Sequence, residues 1–279
     1  MKSVMIKTHE AWLEMLMAGF MSQTENRQTL IDFSDILFRH FSWIENELVI
    51  GGENYSYDRD TIPIRVEKLS DILHAITLHL KVLDGELVHL ENRDLAKRIS
   101  SDLYYMTTVL HTMKDEPVTA FSMERTFPGV TLKQEATDAL TLFLFEETYK
   151  EYELIMIYNY LKAHTNDSYL NRIFQILIEE SFFHLKRFCD MGAKMGILAV
   201  PRTVMKELYQ IEDITQFLKD GIDEELAAKE ECKRLAEAVA KESPEMEKFF
   251  DFINYQENYH IALMEDALRY FSAKGGMND

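Results

Sequence analysis

The chain has 279 residues, 47% of them hydrophobic, and a formal net charge of −18. That is core material for one large domain or two small ones, and the acidic balance argues against nucleic-acid binding and against docking on an anionic membrane. The only cysteines, Cys189 and Cys232, form no CxxC pair; this argues against rubredoxin-, zinc-ribbon- and thioredoxin-type sites and suits a reducing cytoplasm.

Glycine and proline are scarce and no stretch alternates with period two, which predicts an all-α fold. Near the N-terminus, "AWLEMLMAGFM" is apolar but interrupted by Glu14, and no small-residue cleavage site follows. It reads as the start of the fold, not a signal peptide. No run approaches the roughly 20 apolar residues of a membrane span. Helices are predicted at about 25–49, 64–89 and 93–113, the first ending at the breaker "GGENYSYDRDTIP". The stretch "KDEPVTAFSMERTFPGVTLKQ" carries two prolines and a glycine. It divides residues 1–130, an accessory helical region, from residues 131–279. The second part predicts helices at about 134–163, 168–193, 221–241 and 244–273. "HTNDS" and "KESPE" are tight turns, with Ser243 as an N-cap and Pro244 at the first helical position. The long connection between the two pairs makes this two hairpins joined by one crossover.

At about 100° per residue, each of these four helices turns a carboxylate into its apolar face. In the last, Phe250, Ile253, Met264, Leu268 and Phe271 enclose Glu257 and His260. In 168–193, Ile173, Leu177, Phe188 and Met191 share a face with Glu180 and His184. In 134–163, Leu140, Phe143, Leu154, Tyr158 and Leu161 put Glu147 at the centre and Glu151 nearer the edge. In 221–241, Ile222, Cys232, Ala236 and Val239 surround Glu225, with Lys229 one turn on. Thirty-three residues separate Glu147 from Glu180 and 32 separate Glu225 from Glu257, so both hairpins return their acids to the same depth. Unpaired buried carboxylates are strongly destabilising, and a pair of cations relieves them. Oxygen donors with two imidazoles suit iron or manganese; ligand type leaves zinc open.

A Glu from each of two helices, with Glu and His from each of the other two, resembles the ferritin-like di-iron and di-manganese carboxylate superfamily, rubrerythrins among them, over about residues 134–273. The resemblance implies a ferritin-like four-helix bundle holding two iron ions, or manganese, on Glu147, Glu180, His184, Glu225, Glu257 and His260, with Glu180 and Glu257 as bridges. Two departures stand out. The first hairpin reads Glu180-x-x-x-His184 where the family has Glu-x-x-His, an offset a π-bulge would correct. Lys229 brings an ammonium toward the acids, unless its stem carries the charge to the bundle edge.

The resemblance further implies an oxidoreductase that reacts with O2 or H2O2, on a small organic substrate or on peroxide alone. Lacking a rubredoxin module, such a protein takes electrons from a separate donor protein or needs none. A ferroxidase or iron-handling protein, and a non-catalytic ferritin-like scaffold, are the alternatives. Elsewhere, Glu86 and His89 fit Glu-x-x-His but lie off their helix face, as does His74. His40 and Glu47 flank a face without inward carboxylate partners. Residues 1–130 are therefore not expected to hold a second metal, though their apolar helices allow a homodimer. Tyr158, Cys189 and Cys232 read as ordinary core residues.

Overall fold

The computed structural model describes residues 1–63, 68–118 and 129–275. Among these the protein is all-helical: α1 (Lys2–Met21), α2 (Asn26–Ile50), α3 (Leu69–Glu86), α4 (Arg93–Leu110), α5 (Gln134–His164), α6 (Ser168–Lys194), the single turn α7 (Lys206–Tyr209), α8 (Ile214–Val239) and α9 (Pro244–Gly275). Extended pairing among the described residues is confined to a bridge between Lys68 and Pro117. No helix among them is long and apolar enough to cross a membrane.

The chain divides into two compact units: Met1–Met123 with Gly196–Lys206, and Glu124–Met195 with Glu207–Asp279. In the first, the apolar N-terminal stretch is a full helix. From Ala11 to Met21 only Glu14 escapes burial, and a helix apolar on every side belongs in a core. Gly19 lets α1 approach α2 closely, because a Cβ there would lie 2.8 Å from Ile31 Cγ1. The breaker after α2 is anchored by side chains: Tyr55 and Tyr57 both donate to Glu45 Oε1. His40 is fully buried and its Nε2 lies 2.9 Å from Asp102 Oδ2 of α4. The periodicity of α2 alone gives His40 no carboxylate; its partner comes from a helix 62 residues away. Within this unit the crossover residues Leu198, Ala199 and Val204 are buried, and Arg59 Nη2 donates to Pro201 O at 2.6 Å.

The second unit consists of α5 packed on α6 and α8 packed on α9, with α5 beside α8 and α6 beside α9. The turns are built as their composition predicts. Asp167 caps α6 by accepting from Tyr169 N and Leu170 N, and Ser243 Oγ accepts from Met246 N ahead of Pro244. Helix α8 starts seven residues before the predicted 221, because Asp213 caps it at Gln216 N. Rings of Phe143, Phe188 and Phe250 meet edge to face at 5.4 and 5.5 Å and tie α5, α6 and α9 together.

Asp167 does a second job, since its Oδ2 accepts from Tyr270 of α9 at 2.7 Å. Replacing Asp167 by alanine therefore removes a cap and an inter-helix tie together. The expected loss is about 1–2 kcal/mol, read as a lower midpoint in urea. Asp167→Asn, which keeps a capping oxygen, should recover most of it; equal losses in both variants would refute the cap.

Candidate metal centre

Four helices converge on one buried point midway along the second unit. The buried stripe of α5 runs through Leu140, Leu144, Thr148, Glu151, Ile155 and Tyr158. Of the predicted stripe, Leu140, Phe143, Tyr158 and Leu161 are buried and Leu154 is half-buried; burial spreads further, to Leu144, Thr148 and Ile155. On this broader face Glu151 is buried and Glu147 half-buried. On α6, His184 is fully buried and Glu180 partly so, its side chain 28% exposed. Helix α6 is α-helical throughout, with no π turn, so Glu180 and His184 keep their one-turn offset. On α8 Glu225, and on α9 Glu257 and His260, are buried.

The geometry is organised around Glu257. Its Oε1 lies 3.7 Å from His184 Nδ1 and its Oε2 lies 2.9 Å from His260 Nδ1. Each Nδ1 faces a second carboxylate from the helix paired with its own: Glu151 Oε1 at 2.9 Å for His184, Glu225 Oε1 at 3.4 Å for His260. The two imidazole centroids are 5.2 Å apart. The cluster thus consists of two similar halves, each one imidazole and one carboxylate, sharing Glu257. Ligand atoms of His184, Glu257 and His260 fall within 4.8 Å of one another.

Without a cation these groups neutralise one another with protons. Burial alone would lower both imidazoles, but Glu151 and Glu257 lift His184 to about 9, and Glu225 and Glu257 lift His260 to about 11. Burial pushes Glu257 well above the carboxylate range. Burial also lifts Glu147, to about 7, with Lys150 opposing and Glu151 and Glu225 reinforcing. Glu225 goes the other way: burial would raise it, but hydrogen bonding to His260 and Glu257 holds it low. Proton sharing still leaves the polar inventory incomplete. The buried atoms Glu151 Oε2, Glu257 Oε2 and His260 Nε2 find no well-directed hydrogen-bond partner among the described residues, which is costly in a packed interior. The inward carboxylate oxygens left in this state, Glu151 Oε2 and Glu257 Oε2, lie beside the two Nδ1 atoms and with them fit a metal ion.

Of the six residues read from sequence, the structure gathers His184, Glu225, Glu257 and His260 at the centre. Glu180 stands to one side, 3.8 Å from His260 Nε2, and Glu147 lies one turn from the α5 residue that meets His184. Two further residues join the centre: Glu151, which the periodicity of its helix puts nearer the edge, and Gln256. Glu151 was legible in the register, since it precedes His184 by the same 33 residues that separate Glu147 from Glu180. Gln256, whose Oε1 is 3.3 Å from His184 Nε2, carried no such signal. Lys229 sends its ammonium to Asn258 at the exposed edge, so it does not compete for the acids. Arg187 covers the Phe183 ring. Cys189 and Cys232 are buried, as expected, and Tyr158 stacks on Phe174. Tyr158 is buried near the acids, so its hydroxyl is pushed well above its ordinary value. No protein-family model, curated protein or solved structure matches the chain.

The proton inventory sets a sign for stability. At pH 8 the folded, metal-free protein holds more protons at His184 and His260 than the unfolded chain, whose imidazoles titrate near 6.5. Stability then falls as pH rises. The melting temperature of chelator-treated protein should fall from pH 6.5 through about 9, the value of His184, and His260→Gln should flatten the slope. A melting temperature that rises across this window would contradict the arrangement.

Proposed function

We propose that the second unit is a ferritin-like four-helix bundle holding a carboxylate-bridged pair of metal ions, iron in the first place and manganese as its substitute. The protein would then be a non-haem di-metal oxidoreductase that consumes O2 or peroxide. The observation carrying this reading is the division of Glu257, one oxygen toward each histidine. Glu151 with His184 would hold one ion, Glu225 with His260 the other, and Glu257 both. The donor set, carboxylates with two imidazoles, is the one hard and borderline transition metals prefer over magnesium or calcium. When bound, such a pair supplies two-electron redox chemistry toward O2 or peroxide.

The chain's own residues would do the rest. Phe188, whose ring lies 5.9 Å from that of His184, and the packed Phe143 and Phe250 keep water from one side. Glu147, half-buried one turn from Glu151, would be placed to take or give a proton at its carboxyl oxygen beside the metals. With two cysteines in 279 residues, this sequence cannot assemble an electron-transfer centre ligated by four thiolates. A reaction that needs electrons would draw them from a donor outside these residues, such as a separate protein.

Elemental analysis of protein purified without chelator tests this first. About two iron or manganese ions per chain, the stoichiometry of a carboxylate-bridged pair, should be present and should be lost in Glu257→Ala. Glu151→Gln should lose more metal than Glu147→Gln. Loaded protein should then consume O2 or H2O2 in the presence of a reductant. If no transition metal binds even after anaerobic Fe(II) reconstitution, the cluster is an ion-pair core and the protein a scaffold.

A further inference from the structure

The two histidines present the same nitrogen, Nδ1, toward Glu257; their other nitrogens, Nε2, face Glu180 in the case of His260 and Gln256 in the case of His184. For His260 that distance is 3.8 Å, direct. For His184 the approach runs through Gln256, whose Oε1 lies 3.3 Å from His184 Nε2 and whose Nε2 donates to Glu180 Oε2 at 3.4 Å. The direction of this chain follows from the donors available. An ionised carboxylate only accepts, so Glu180 must face the amide N–H of Gln256. The amide oxygen is then left for His184, and it too only accepts. His184 must therefore carry a proton on Nε2, so the proton it gives up to a metal is the one on Nδ1, the nitrogen that faces Glu257 and Glu151.

We infer that Glu180 and Gln256 are positioning residues rather than metal ligands: Glu180 orients the Gln256 amide, and the amide fixes the His184 tautomer that offers Nδ1 to the metal. This rests on the metal reading of the site and departs from the ligand set that the family resemblance implies, in which Glu180 bridges the two ions. Placement agrees with the departure. The Glu180 side chain is 28% exposed, whereas that of Glu257 is 5% exposed, and Glu180 sits on the Nε2 side of the His260 ring. Partners of a ligand's second nitrogen commonly change metal affinity by about 10–100-fold when removed.

Cobalt(II) titration of metal-free protein separates the possibilities, using wild type, Glu180→Gln, Gln256→Leu, Gln256→Glu and the Glu180→Gln/Gln256→Leu pair. Each of Glu180→Gln and Gln256→Leu should keep the wild-type stoichiometry and bind about 10–100-fold more weakly. The pair should be no worse than the weaker single variant, because both act through one chain. Gln256→Glu, which still accepts from His184 Nε2, should stay within a few-fold of wild type. In the ¹⁵N ring spectrum of the zinc-loaded protein, the His184 Nε2–H signal should be present in wild type and shifted in Gln256→Leu. The inference is overturned if Glu180→Gln loses bound cobalt outright while Gln256→Leu binds like wild type, which would make Glu180 a ligand. It is also overturned if the two effects add, or if His184 carries its proton on Nδ1. A wild-type protein that takes up no cobalt removes the metal reading itself, and that outcome is distinct from each of the others.

Discussion

The structure of the second unit follows from the cost of burying acid. Glu151, Glu225 and Glu257 are packed around two imidazoles inside a helical core, where an uncompensated carboxylate is strongly destabilising. Positive charge has to be present at that point, either as protons on His184 and His260 or as metal ions. The rest of the unit serves to hold the groups in register. Asp167, Asp213 and Ser243 set where α6, α8 and α9 begin, and each hairpin then carries its acid and imidazole to the same height. The Phe143, Phe188 and Phe250 rings hold that height fixed.

Symmetry between the halves is approximate, and its breakdown is informative. Both Nδ1 atoms lie between Glu257 and one further carboxylate. Their outer nitrogens differ: His184 has a neutral amide within reach, while His260 Nε2 has no directed partner among the described residues. A neutral acceptor orders a ring without adding charge, whereas a carboxylate would raise its basicity. Two ions held in such halves would experience different ligand fields although their nearest donors are alike.

Much of this was legible in the amino-acid order. The all-α class, the two hairpins and the inward placement of Glu225, Glu257, His184 and His260 follow from breakers and apolar periodicity. The failures have physical causes. A wheel at constant pitch is reliable over a few turns, but α5 has 31 residues and apolar side chains on several sides. Its buried face is broad enough to admit Glu151 beside Glu147, and a wheel that puts Glu147 at the centre and Glu151 nearer the edge does not show which of them meets His184. The partner of His40 is contributed by α4, and the partner of His184 Nε2 by α9; periodicity within one helix carries no information about either. The extent of α1 escapes the pattern because a helix buried on every side has no amphipathic stripe to reveal it.

The crossover has a consequence for biosynthesis. The chain finishes α6, contributes Gly196–Lys206 to the first unit, and then returns to build α8 and α9. The N-terminal unit is therefore discontinuous, and its last piece emerges from the ribosome only after the α5–α6 hairpin. Vectorial folding, in which an N-terminal domain closes before the next is made, cannot run to completion here. Until residue 206 is translated, the first unit lacks its closing segment, in which the carbonyl of Pro201 accepts from Arg59, and α5 and α6 wait with their acids exposed for α8 and α9. A nascent chain paused between these points would display half of the cluster to solvent, with Glu151 and His184 already made and Glu257 not yet added.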